Sequence, residues 1–493
     1  MTGRSVRRMA FEIVETTITK IQAALDSGEI TSRQLVLMYL ERIADHDKNG
    51  LTVNSVIEIS PDALFIADAM DTERSMLGAR GPLHGVPVML KDNINTGDKM
   101  HTSAGSLALA DSFAGEDAFI VSRLRKAGAV ILGKTNMTEF ANFMTMGMPS
   151  GYSSRGGQTL NPYNISKPTG GSSSGSAVAV ACNFCTVSVG TETAGSILNP
   201  ASLGSIVGIK PTVGLLSRSG ILPLSNSQDT AGPMARTVRD AVLLLSAMLG
   251  EDETDAAMGA SLGRTHGDYT GFLDGNGLQG ARIGIPRDYY FEEVGEDRIA
   301  LYEAAVQLMK DHGAVIVDPA NVPTAREVRY STVLLNEFKN SLNAYLAKLG
   351  PGAPMRTLKD IIAFNHDHPM ETLRYGQSTL LDAEYRTSGA LTEPQYLRDR
   401  AADLKLCKEE GIDAVMREHR LDALLFPADF GSRIMARAGY PSIVVPAGYT
   451  PDGEPFGVTF AGMAYAEPTL IRLAYAFERH SKARKSPSLR SFI

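Results

Sequence analysis

Residues 167–212 constrain this chain more than any other stretch. They read K-P-T-G-G-S-S-S-G-S-A-V-A-V-A, then V-S-V-G-T-E-T-A-G-S-I-L-N-P-A, then G-I-K-P-T. Two Gly- and Ser-rich loops flank a short apolar segment, and each loop carries hydroxyls among its glycines. Glycine allows positive φ and a close approach of backbone to a ligand. A lone serine-rich loop would suggest a linker. Here each loop runs straight into apolar sequence, which predicts a site held on a rigid scaffold.

The surrounding chain supplies that scaffold. Ile18, Ile21, Ala24 and Leu25 recur at helical spacing. Thr31 and Gln34 form a capping box before a second helix with Leu35, Met38, Leu40 and Ile43. A third helix is expected from about Pro61, a residue tolerated in a first turn. Val86, Val88 and Leu90 alternate as in a strand that ends at Lys91. Residues 119–126 read as a helix, Gly128 as its stop, and 129–132 as a buried strand. The same unit recurs at 298–317, where Leu301, Ala305, Leu308 and Met309 make the apolar face and Gly313 ends the helix. Helices alternating with apolar strands predict an α/β sheet covered on both faces. A well-buried helix is expected at 237–249, a Gly- and Asp-rich surface excursion at 251–280, and a helix at 328–349 carrying Leu334, Leu335, Phe338, Leu342 and Tyr345. Strands at 421–426 and 442–445 and a closing helix at 466–483 complete the reading.

Composition narrows the function classes. A length of 493 residues suits roughly three average domains, yet the motifs spread over residues 82–460 and favour one large domain. The net charge of −7, from 48 basic and 55 acidic residues, offers no basic footprint for nucleic acid. No apolar run approaches the ~20 residues that span a bilayer, and residues 1–8 are polar and basic, unlike a signal peptide. A cytoplasmic soluble protein is the expectation. Three cysteines are too few for a disulfide framework, and the C-x-x-C at Cys182 and Cys185 reads as two small core residues.

Three further motifs compete for attention. Residues 128–135, G-A-V-I-L-G-K-T, match a phosphate-binding loop literally. A phosphate cradle needs its middle residues in a loop, and here they are Ala, Val, Ile and Leu, which belong in the strand. Residues 171–175 fit G-x-S-x-G and would make Ser173 a nucleophile, but that elbow needs a preceding strand, and residues 161–168 read as loop. His366 and His368 form an H-x-H without further ligands nearby and read as solvated loop histidines.

The pattern G-G-S-S-S-G-S at 170–176, G-T-E-T-A-G-S at 190–196 and G-I-K-P-T at 208–212 resembles the amidase signature family. Upstream, G-V-P-V-M-L-K-D at 85–92 matches a further family motif. The likeness runs from about residue 81 to the closing helix and is strongest to the bacterial peptide amidases. It implies a central mixed β-sheet covered on both faces by helices. Residues 1–80 would form an N-terminal helical layer of the same domain, and 81–493 the catalytic part. The resemblance implies amide hydrolysis by a Ser–cis-Ser–Lys triad, with Ser196 as nucleophile, Ser172 as bridge and Lys91 as base. It implies a cis bond between Gly171 and Ser172, and an oxyanion site made by the N–H groups of Thr193, Ala194 and Gly195. Neither metal nor organic cofactor is implied. The expected partner is a small-molecule or short-peptide amide, with no nucleic acid and no membrane.

Two departures stand out. Family members usually carry Gly or Asp where this chain has Ala194, a residue that keeps the N–H and disfavours positive φ. The segment at 428–437 is shorter than in peptide amidases. The alternatives are an aryl-acylamidase, a subunit that amidates charged tRNA with partner chains, a nucleotide-binding module on residues 128–135, and a non-catalytic binding protein on the same fold.

Overall fold

The computed structural model describes residues 11–328 and 331–489. The stretch at 1–8 and two residues of the expected 328–349 helix lie outside the described residues. A single sheet of eleven strands runs through the molecule. In chain order the strands are β1 (Val56–Ile59), β2 (Pro87–Lys91), β3 (Val130–Thr135), β4 (Val187–Glu192), β5 (Val207–Lys210) and β6 (Thr230–Ala235). They continue as β7 (Arg282–Gly284), β8 (Val315–Val317), β9 (Ala423–Pro427), β10 (Ser442–Tyr449) and β11 (Pro455–Ala461). Their spatial order is β1-β3-β2-β4-β6-β5-β10-β11-β9-β7-β8. The sheet is mixed, as expected. Strands β3, β2 and β4 run parallel, β6 turns antiparallel to β4, and β9, β7 and β8 form a second parallel set.

Several local readings carry over. The helix at Phe119–Lys126 ends at Gly128, whose φ of +83° suits glycine. The helix at Glu296–Asp311 leads through Gly313 into β8. Thr31 and Gln34 exchange both capping-box hydrogen bonds, at 3.1 and 2.9 Å. The expected helix from Pro61 is Ala63–Leu77, and the one expected from residue 328 is Val333–Lys348.

The readings of the N-terminal layer and of His366 and His368 need correction, whereas those of residues 130–135 as strand and of Cys182 and Cys185 as core residues hold. The N-terminal region is not purely helical: β1 pairs antiparallel with β3 and forms one edge of the sheet. Residues 130–135 lie wholly in β3, all buried, and Lys134 Nζ donates to Ile94 O and Thr102 Oγ1. No loop remains there to cradle a phosphate. His366 lies in the helix Leu358–Asp367 and His368 caps it, so both sit on a helix end rather than in a loop; both are exposed. Cys182 and Cys185 are free and buried, and burial pushes the Cys185 thiol up to about 12.

Candidate active site

The sheet delivers the site by its topology. Parallel neighbours β2 and β4 end side by side, bringing Lys91 and the 191–192 dipeptide to one rim. The antiparallel β6 starts there, with Glu192 opposite Thr230, so Asp229 joins the same rim. Ligands of α/β sheets bind beyond the carboxyl ends of strands, and both serine loops meet at this edge.

Lys91 stands at the end of β2 with no exposed surface. Its Nζ lies 2.8 Å from Ser172 Oγ, 2.9 Å from Ser173 Oγ and 3.1 Å from Thr191 O. Burial lowers its pKa to about 7, and the carboxylates of Asp229 and Glu192 work against that shift. An isolated strand-end lysine is ordinarily solvated; this one is enclosed because helix Ser174–Ala181 packs over β2 and β4. Every residue of that helix is buried. The peptide bond between Gly171 and Ser172 is cis.

The directions of these hydrogen bonds are constrained. Ser173 Oγ accepts from Thr191 N–H at 3.2 Å and donates to Thr191 O at 3.0 Å. Its only proton is thereby used, so toward Lys91 it can only accept. Thr191 O is an acceptor by nature. Two lysine N–H groups are therefore engaged, which leaves the third position of Nζ for Ser172. Ser173 itself caps the start of a helix and follows loop, not a strand. It is buried, unlike the exposed serine of a nucleophile elbow.

Ser196 sits 6 % exposed on the loop after β4. Its carbonyl accepts from Ser173 N–H at 3.1 Å, which ties the two serine loops together. Among the described residues no hydrogen bond joins Ser196 Oγ to Ser172 Oγ. Glu192 shapes the turn: its buried Oε2 accepts from the N–H groups of Ile197 and Leu198, at 2.7 and 3.0 Å. Gly195 completes it with φ +85°. The N–H groups of Thr193 and Ala194 engage no backbone acceptor among the described residues, whereas Gly195 N–H contributes to the Glu192 carboxylate. Ala194 is exposed and does not adopt positive φ, so the conformational objection to alanine does not apply.

The sequence reading missed four residues of this region: Glu192, Asp229, Asn199 and Asp429. Asp229 accepts from Leu224 and Ser225 N–H at 2.7 and 2.8 Å and from Thr193 Oγ1, bracing the loop before Ser196. Asn199 receives Gly171 N–H at 3.1 Å, and its amide donates to Asp429 at 3.0 Å. An acidic residue at a strand end before a Gly-Ser turn was a signal available for Glu192; no spacing rule points to Asp429. Two cavities flank the site. One of about 560 Å³ meets Gly170, Asn199 and Asp429, and one of about 800 Å³ meets Thr191, Thr193 and Asp229.

Among the described residues no group of His, Cys, Asp or Glu is arranged to hold a metal, and no helix is long and apolar enough to cross a membrane.

Comparison with known proteins gives this geometry a family. A family model described as amidase matches residues 34–471. A crystal structure of native peptide amidase from Stenotrophomonas maltophilia superposes with a TM-score of 0.90 at 45% identity, covering 96% of this chain and 99% of that one. A probable amidase of Arabidopsis thaliana is 42% identical over 97% of this chain and 92% of its own length. A glutamyl-tRNA(Gln) amidotransferase subunit from Halorhodospira halophila is 33% identical over 94% of this chain and 96% of its own.

Proposed function

Since the chain belongs to the amidase family and is an amide hydrolase, we propose that Lys91, Ser172 and Ser196 form its catalytic triad and that it acts on C-terminal peptide amides or related carboxamides. The observation that carries the triad is the arrangement around Lys91. A neutral amine has two N–H groups and one lone pair. With the N–H groups directed at Ser173 Oγ and Thr191 O, the lone pair faces Ser172 and accepts its hydroxyl proton.

The chemistry follows from that polarity. An amide carbonyl is a weak electrophile and its amine a poor leaving group, so catalysis needs a nucleophile, a proton shuttle and an oxyanion site. Ser196 Oγ attacks the carbonyl carbon and passes its proton to Ser172 Oγ as the Ser172 proton moves to Lys91. The open step between the two hydroxyls closes when substrate binds, since catalytic hydrogen bonds are often loose in free enzymes. The oxyanion accepts from the N–H groups of the 193–195 turn, first from Thr193 and Ala194, whose donors are uncommitted. The relay then runs backwards and protonates the departing nitrogen. Ammonia or an amine leaves, and water attacks the acyl–Ser196 ester by the same route.

The substrate reading draws on the likeness to peptide amidase structures. An ammonia-release assay over peptide amides, simple carboxamides and anilides tests it: peptide amides should turn over fastest, and preference for anilides would shift the reading to an aryl-acylamidase. The kinship to an amidotransferase subunit supports a second reading, amide transfer within a complex. That reading requires partner chains, so stable co-purification from the native source would favour it.

The exposed Ala194 carries a prediction of its own. Ala194→Asp places a carboxylate beside the oxyanion site without straining the turn. Like-charge repulsion at an exposed position should lower kcat about threefold to tenfold, or shift the preference among amides. Unchanged kinetics on every amide tested would show that the side chain at 194 has no part in the reaction.

A further inference from the structure

The smaller cavity lies between Gly170 and Asn199 on one side and the loop after β9 on the other. Asp429 is anchored in its wall: Oδ1 accepts from Asn199 Nδ2 at 3.0 Å. Its second oxygen, Oδ2, makes no side-chain hydrogen bond among the described residues, and neither does Ser432 Oγ. Both converge on Gly195. A Cβ placed on that glycine would stand 3.4 Å from Asp429 Oδ2 and 3.1 Å from Ser432 Oγ. Both oxygens thus lie close to Gly195, the residue before Ser196.

The rest of the wall sets the charge. Glu292, Glu293 and Glu454 add carboxylates, against Arg298 and Arg433. Arg298 is already paired with Glu454 at 2.9 Å. Glu454 is also held by Lys167 at 3.0 Å, and Glu292 pairs with Arg326. Among the described residues this leaves Asp429 and Glu293 without a cationic partner, against one unpaired guanidinium, Arg433. A carboxylate with a free oxygen repels a second anion and forms strong charge-assisted hydrogen bonds with N–H cations.

We propose that Asp429, with Ser432, is a specificity-determining pair that selects amide substrates whose acyl part carries an ammonium or guanidinium side chain. In such a substrate the side chain enters the smaller cavity while the carboxamide carbon rests at Ser196 Oγ. Asp429 Oδ2 accepts an N–H of the cation, Ser432 Oγ accepts another, and Asn199 keeps the carboxylate from swinging away. The inference rests on the reading of Ser196 as the amide-cleaving residue, and its test separates the two.

Binding is measured by calorimetry on a Ser196→Ala variant, which cannot consume the ligand. N-acetyl-lysinamide is compared with N-acetyl-norleucinamide, of similar length but without the charge. The lysine amide should bind at least tenfold tighter, the range expected of a hydrogen bond to a charged group. In Ser196→Ala with Asp429→Asn the ratio should fall to about one. The asparagine retains an oxygen for Asn199, so the melting temperature should stay put. Equal affinities in Ser196→Ala, no measurable binding of the lysine amide, or a ratio that survives Asp429→Asn would each overturn the proposal. Turnover by the unmodified chain is read in parallel. Hydrolysis of both amides with no binding preference sinks this inference alone. A preference that depends on Asp429, with no hydrolysis of either amide, upholds the pocket and counts against the amide-cleaving reading.

Discussion

Incubation with a fluorophosphonate should leave one covalent adduct, on Ser196, and Ser196→Ala should lower kcat by at least about 10⁴, as loss of a serine nucleophile does elsewhere. The structure offers three other serines within the same loops, so the location of the adduct is informative. Ser173 has its proton committed to Thr191 O and its oxygen to two N–H donors. Ser174 Oγ donates to Gly170 O. Ser172 is held on Lys91 and fully buried. Among the described residues Ser196 alone of the four is free of such a tie, and it keeps some exposure beside uncommitted backbone donors. Peptide mapping of the adduct decides the matter. Label on Ser173 would favour a nucleophile elbow, and label on Ser172 would reverse the two serine roles.

Much of this site was legible in the sequence because its parts lie in short, Gly-rich segments at strand ends. Lys91 closes an alternating run, and the serines sit where glycine permits a tight turn. The covered α/β sheet was legible from the recurrence of helix, glycine and strand at 119–132 and 298–317. The burial of Lys91 was not. It depends on helix Ser174–Ala181, whose S-G-S-A-V-A-V-A sequence alternates like a strand. It folds as a helix because small side chains allow it to press against the sheet: at Gly175 a Cβ would meet Ser55 O at 2.3 Å. Strand β1 escaped notice because four residues, Val56–Ile59, give too short a pattern. Strand β6 escaped because T-A-G-P-M-A holds a glycine and a proline, and proline is rare in central strands. Pro233 nevertheless pairs with Val189 in the middle of the sheet. Asp229 and Asp429 reach the site through strand order, a long-range property that no local spacing encodes.

The largest consequence attaches to the charge on Lys91. Lys91→Arg should reduce turnover by about 10² to 10⁴, the range for a lost general base, because a guanidinium does not give up its proton. The pH profile of the unmodified chain should report the same group. A protonated Lys91 cannot accept from Ser172, so the rate should rise with pH through about 7, where burial has brought this lysine, and level off above it. The sign for stability is the same. The unfolded chain binds this proton up to ~10.4, the folded one only to about 7, so between those values stability increases with pH, and below about 7 the cost of burying the charge is present in full. Lys91→Met fills the same space without a charge and should abolish both the activity and that component of the stability profile. Lys91→Ala leaves a hole in a fully buried position and mixes a packing loss into the result; a small primary amine that enters the hole should restore part of the rate, which a packing defect alone would not allow. A correctly folded Lys91→Arg enzyme with near wild-type turnover would remove lysine from the relay, and with it the roles assigned to both serines.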